Sequence, residues 1–225
     1  LATILHVRKK DRSVYEMMTI FTNIGLVGLP IVISIYGQAS MIFVSFYILV
    51  FNVLAYTLGI YLMNHHGAKM EWKKILNSGV VACLVALCIF AFRIKTPMVV
   101  NNFMNYMGTA VIPLSMMVVG VSIAKADLKE IFSDIHMYQF AFWKLLVIPC
   151  MAVMLAFLLP FDPMLEGIFI VMMAMPVGSI VAMMADEYGA DKVLVSHGIV
   201  MTTLFCVVTV PIVSAFKDLM EMILL

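Results

Sequence analysis

The chain is predicted to fold as an all-α integral membrane protein, on three observations. Of its 225 residues, 64% are hydrophobic and 12% charged, with a mean hydropathy of +1.09. A soluble domain carries about a quarter charged residues. Seven apolar runs approach the ~20 residues with which a helix crosses a bilayer. Two of these runs are broken near their middle by proline beside glycine. The first reads Thr22-Asn23-Ile24-Gly25-Leu26-Val27-Gly28-Leu29-Pro30, the second Met173-Ala174-Met175-Pro176-Val177-Gly178-Ser179. Backbone groups freed at that depth are costly unless they line a cavity or face packed protein.

The seven spans are placed at about 17–36, 41–63, 75–92, 103–124, 138–159, 165–185 and 193–216, each near the required length. Polar breaks separate them at Gly37 to Ser40, Asn64 to Lys74, Arg93 to Asn102, Lys125 to Met137, Pro160 to Met164 and Asp186 to Lys192. Alternate loops differ in charge. One set holds Arg8, Lys9, Lys10, Arg12, Lys69, Lys73, Lys74, Lys125, Lys129 and Lys192; the other holds Arg93, Lys95 and Lys217. Ten cations against three predict a cytoplasmic N-terminal segment and an outside C-terminus. Lys144 is left over, because it lies within the fifth span.

The broken runs are spans one and six. An odd separation of five makes them cross the membrane in opposite directions. Each is followed by Tyr-Gly at the membrane edge, Tyr36-Gly37 and Tyr188-Gly189, and then by one further apolar span. The match is inexact, since Pro30 lies 6 residues before Tyr36 and Pro176 lies 12 before Tyr188. The parity nonetheless suits an inverted repeat of five helices. Segment 1–63 then supplies the last two helices of a first repeat, with its broken helix at about 17–36. A cytoplasmic loop covers 64–74, segment 75–216 forms a complete second repeat broken at about 165–185, and 217–225 is a tail. The chain begins at Leu1 on a basic loop, which predicts a fragment lacking three N-terminal helices of ten. Two ordinary proline-kinked helices are the alternative.

At these residues the sequence resembles the auxin efflux carrier family, including its bacterial branch of organic-acid permeases. Thr22-Asn23 through Leu29-Pro30 is similar to the family's Asn-x-x-x-x-Gly-x-Pro segment. Ile112-Pro113-Leu114-Ser115 through Gly120-Val121-Ser122-Ile123-Ala124 resembles its Ile-Pro-Leu...Gly-x-Ser-Leu-Ala segment. Pro176 through Glu187-Tyr188-Gly189 to Pro211 resembles its final helix pair, and Asn52 with Gly59 matches a family asparagine and glycine. Asn77-Ser78-Gly79 departs from the usual Asn-Pro. The resemblance implies a ten-helix carrier of two inverted five-helix repeats, whose broken helices cross at mid-membrane beside the substrate. It implies transport by an elevator movement of the crossover-bearing domain against a scaffold.

Candidate site residues follow from the breaks. Gly25, Gly28 and Pro30 on one side, and Pro176, Gly178 and Ser179 on the other, let the backbone open. Half-helix N-termini can then present N–H groups to a carboxylate. Asn23 offers donors and an acceptor without the desolvation cost of a charge; contact with substrate and an interhelical hydrogen bond stay equally open. Asn52 lies mid-span, where a structural hydrogen bond is the simpler reading. Ser115, after Pro113, is read as bonded to its own helix. Lys144 lies about six residues, or ~9 Å, from the cytoplasmic end. It can snorkel to the interface, or attract an organic anion.

Other chemistries find little support. Cys83, Cys88, Cys150 and Cys206 lie in apolar runs without metal-ligand spacing, and the 22 methionines read as packing filler. No HExxH, mid-span aspartate pair or nucleophile–base spacing points to an enzyme. No metal or cofactor is expected, and a net charge of +1 leaves no footprint for nucleic acid. A related ion antiporter or ion-coupled symporter needs a buried carboxylate at the crossover, yet Glu16, Glu166, Asp186 and Glu187 sit near span ends. His136 and His197 read as interfacial. The expected partners are a small organic anion and the lipid bilayer, in a bacterial cytoplasmic membrane. Coupling to protons or sodium, and assembly as a homodimer, stay open.

Overall fold

A computed structural model describes residues 5, 7–8, 11–63, 78–124, 127–158 and 162–224. Lys9, Lys10, Lys125, Asn77 and the expected loop at 64–74 with Lys69, Lys73 and Lys74 lie outside them. Among the described residues the fold is helical. In chain order the helices are α1 (Arg12–Ile20), α2 (Leu29–Tyr36), α3 (Met41–Leu54), α4 (Ile60–Met63), α5 (Ser78–Ala91) and α6 (Met98–Ala124). They continue with α7 (Leu128–Ser133), α8 (Ile135–Phe142), α9 (Ile148–Ala156), α10 (Pro163–Met173), α11 (Ser179–Glu187) and α12 (Lys192–Leu224).

Among the described residues, four continuous helical stretches are long and apolar enough to cross a membrane: Gln38–Met63, Met98–Val121, Ile135–Ala156 and Lys192–Ile223. The other apolar helices are shorter, and two of them belong to the broken runs. Span one is two helices, α1 and the stretch Ile24–Tyr36; span six is α10 followed by α11. α12 continues to Leu224, past the span limit expected at 216, and its last turns carry the Lys217–Glu221 pair at 2.9 Å.

Local chemistry fixes the ends. Asp162 caps α10, accepting from the N–H of Met164 at 2.9 Å and of Leu165 at 3.4 Å, with Pro163 at the first helical position. Asp127 and Asp134 cap α7 and α8 in the same manner. Gly37 (φ 72°) and Gly189 (φ 67°) follow the second halves of the two broken runs in left-handed backbone. The Tyr-Gly echo therefore has a shared conformational basis.

Among the described residues, three turns widen to five-residue closure, at Ile24–Gly28, Ala55–Gly59 and Trp143–Val147. The first and third each stop two residues before a proline, Pro30 and Pro149. Proline lacks an N–H and crowds the carbonyl four residues back, so the preceding turn opens.

Both described ends carry charged side chains of both signs. Val7, Arg8, Asp11, Tyr15, Asp134, His136 and Leu194 line one recess of about 270 Å³. Lys192 pairs with Asp186 nearby, and His197 lies 4.0 Å from Glu130. At the far end the Tyr36 ring packs on Gly167, and Lys217 lies 4.0 Å from Glu166. α1 and α2 thus run from the first end to the second, and α10 and α11 run back. Two apolar clusters fill the body on either side of the breaks. One gathers Met17, Met18, Phe21, Phe140, Val177 and Met184; the other gathers Ile24, Val27, Leu145, Val153, Met172 and Met175. α6 stands apart, with most of its apolar side chains exposed.

Candidate functional site

The two broken runs meet where their helices stop. Phe21-Thr22-Asn23 and Pro176-Val177-Gly178 lie antiparallel, with Thr22 and Val177 as a bridge pair. The N–H of Asn23 donates to the carbonyl of Pro176 at 2.7 Å, and the N–H of Gly178 donates to the carbonyl of Phe21 at 2.9 Å. A Cβ on Gly178 would lie 2.7 Å from the Thr22 carbonyl oxygen and 3.2 Å from that of Phe21. Only glycine lets the strands approach this closely. At Gly28 a Cβ would meet the side chains of Met172, at 2.9 Å, and Met175, which can yield.

The remaining freed groups find other partners. The N–H of Val177 donates to Thr202 Oγ1 at 3.0 Å, and that hydroxyl donates to the carbonyl of Gly198 at 2.7 Å. Asn23 Oδ1 accepts from the N–H of Leu26 at 3.2 Å, capping the turn that restarts the first run. Lys144 is 1% exposed and donates from Nζ to the carbonyl of Thr19 at 2.7 Å. It does not snorkel: its ammonium stays at the end of α1.

A cavity of about 40 Å³ opens beside the crossing. It is lined by Asn23 and Leu26 of the first run, Ser179 of the second, Ile199, Val200 and Thr203 of α12, and Val118, Val119 and Ile123 of α6. Asn23, Ser179 and Thr203 bring polar side chains to it from three elements. The Asn23 amide nitrogen donates no hydrogen bond among the described residues, so its donors remain available. Asn23 and Gly178 are the N-caps from which both second-half helices start, so two positive helix ends face this region. The volume suits one or two waters, for which about 10–15 Å³ each is enough.

The other sequence-derived candidates lie elsewhere. Asn52 Nδ2 donates to the carbonyl of Ile48 at 2.9 Å, within its own helix. Ser115 Oγ donates to the carbonyl of Ile112 at 2.8 Å. Gly25 is exposed, with no atom within 4 Å of a Cβ. Pro176 lies in the crossing, whereas Pro30 sits in α2, beyond it. Asn23 and Gly178 are the residues that precede the second half of each run. Thr202 and Thr203 were not singled out from sequence. The adjacent hydroxyl pair near the middle of the last apolar span was the available signal.

The sequence matches the family described as membrane transport protein, that of the auxin efflux carriers, over residues 1–73 and 68–214. The chain belongs to this family. It is 24% identical over 196 residues to an uncharacterised transporter of Methanothermobacter thermautotrophicus, a match covering 85% of this chain and 64% of the relative. It is also 24% identical over 205 residues to an uncharacterised transporter of Methanocaldococcus jannaschii, covering 86% and 65%. The chain thus spans just under two thirds of the length of these relatives. Family membership together with the long apolar helices places the chain in an integral membrane protein of a transport family.

Proposed function

We propose that this chain is part of a secondary carrier of small organic anions, which binds its substrate beside the crossing of the two broken helices. The observation that carries the reading is the convergence of Asn23, Ser179 and Thr203 on one cavity at two half-helix N-termini. An amide with free donors, two hydroxyls and two positive dipole ends suit a carboxylate. No carboxylate side chain lines the cavity to repel it.

The antiparallel crossing and the paired Tyr-Gly ends support two inverted repeats of five helices, with this chain contributing seven of ten. The clustering of Arg8, His136 and the Asp186–Lys192 pair at one end supports a cytoplasmic placement of that end, with the C-terminus outside. The cavity is too small for an organic acid, so substrate admission requires its walls to part. α6 closes one side with Val118, Val119 and Ile123 and is otherwise loosely packed. Movement of the crossing past α6 is an elevator-type step.

The test is uptake by the full-length protein in proteoliposomes, using radiolabelled dicarboxylates and aromatic acids. Asn23→Ala is expected to weaken anion binding by about 10- to 100-fold, the loss of one or two charge-assisted hydrogen bonds. Unchanged binding in folded Asn23→Ala and in Ser179→Ala would exclude this site.

A further inference from the structure

Lys144 has a geometric peculiarity that the anion reading does not use. In a continuous α-helix the N–H of Asn23 would donate to the carbonyl of Thr19, four residues back. Here that N–H donates to Pro176 across the crossing, at 2.7 Å. The acceptor it abandons, the Thr19 carbonyl, receives Lys144 Nζ, also at 2.7 Å. Lys144 comes from the widened turn Trp143–Val147 and is 1% exposed. It does not line the cavity.

We infer that Lys144 is a positioning residue that keeps the first helix broken, by replacing the Asn23 N–H on the Thr19 carbonyl. Each donor takes one carbonyl: Asn23 goes to Pro176, and Lys144 goes to Thr19. Without Lys144 the half-buried Thr19 carbonyl loses this donor. The Asn23 N–H can then satisfy it by rewinding α1 and leaving Pro176. Rewinding also withdraws the Asn23 side chain from the cavity, so the crossing and the site are lost together.

The experiment reads the crossing directly in the full-length protein, and only then substrate. Thr22 and Val177 are a bridge pair that exchange no hydrogen bond with each other, a geometry with Cα atoms about 4.5 Å apart and within disulfide range. Thr22 Oγ1 has no hydrogen-bond partner among the described residues, so Thr22→Cys removes no bond. The rate of disulfide formation in Thr22→Cys/Val177→Cys is compared with both single variants as controls. It is then measured again with Lys144→Met, similar in length but without a donor, and with Lys144→Arg, which keeps one.

Lys144→Met is expected to slow cross-linking at least tenfold, and Lys144→Arg to hold it within about threefold of the parent. Parental cross-linking in Lys144→Met overturns the inference, as does equal loss in both variants. If the Met variant does not fold, the Arg variant decides by the same threefold criterion; failure of both to fold makes Lys144 a folding residue and also overturns it. The inference builds on the proposed carrier site only for its effect on substrate. A tenfold cross-linking loss in a protein that binds no organic anion would leave Lys144 in this role and refute the carrier reading instead.

Discussion

Gly178→Ala tests the crossing at its tightest point. Gly178 has φ −76° and ψ 142°, a conformation alanine adopts freely. Replacement there costs no backbone strain, and the smaller entropy of the unfolded chain favours alanine by about 0.4–1 kcal/mol. The penalty comes from contact alone. The added Cβ meets the Thr22 carbonyl oxygen at 2.7 Å and its carbon at 3.0 Å, backbone atoms that no rotamer change can clear. Relief to ordinary contact needs a separation of roughly 0.7 Å. That lengthens the bridge bonds, now 2.7 and 2.9 Å, past the ~3.2 Å limit of a good N–H···O bond. Two buried pairs weakened in this way cost about 1–3 kcal/mol each if fully lost. Partial relaxation and the entropy gain bring the net to about 2–4 kcal/mol, as for overpacked cores. At about 2–4 °C per kcal/mol for a chain of this size, the melting temperature should fall by roughly 4–16 °C. Thermal unfolding of the purified full-length protein, followed by circular dichroism, measures it. Gly25→Ala is the control, because no atom lies within 4 Å of its Cβ. A Gly178→Ala protein melting within about 2 °C of the parent would refute the close-approach argument.

Two further outcomes are expected. Thr202→Val leaves the Val177 N–H buried without an acceptor and should destabilise by about 1–3 kcal/mol in the same melt, while Thr202→Ser restores the parental value. Pro30→Ala should change stability by less than about 1 kcal/mol, whereas Pro176→Ala creates a new buried N–H within the crossing and should cost about 1–3 kcal/mol; equal effects at both prolines would contradict their different placement.

The helices were legible because apolar length and polar punctuation are local signals. The breaks were legible too, through glycine and proline at improbable depth. What sequence could not assign was which break residue does what. Pro30 drew attention as the strongest helix breaker, yet proline acts only on its own carbonyl ladder, and here it widens the turn before α2. The crossing is set instead by a missing side chain at Gly178, where the neighbour that forbids a Cβ is Thr22, far away in sequence. Lys144 illustrates the same limit. Its distance from the cytoplasmic end favoured snorkelling, but its acceptor, the Thr19 carbonyl, exists only because a different helix is interrupted. Thr202 serves a broken run from an unbroken one, so neither run alone reveals it.

These partnerships also decide which parts of the fold can move. The two breaks share two hydrogen bonds with each other. Their remaining freed groups are met by Lys144, from the turn between α8 and α9, and by Thr202 of α12. Separating any of these elements would expose unpaired backbone at membrane depth, at several kcal/mol per group. α6 reaches the cavity with the apolar side chains of Val118, Val119 and Ile123, which meet it through dispersion contacts. On the proposed elevator reading, the crossing would travel as one body past α6. A disulfide between Thr22→Cys and Val177→Cys is expected to leave uptake by the full-length protein within about twofold. A short thiol cross-linker joining Leu26→Cys to Val119→Cys is expected to stop it. The reverse pattern would mean that the two breaks part during transport, and that the hydrogen bonds joining them are exchanged in the cycle.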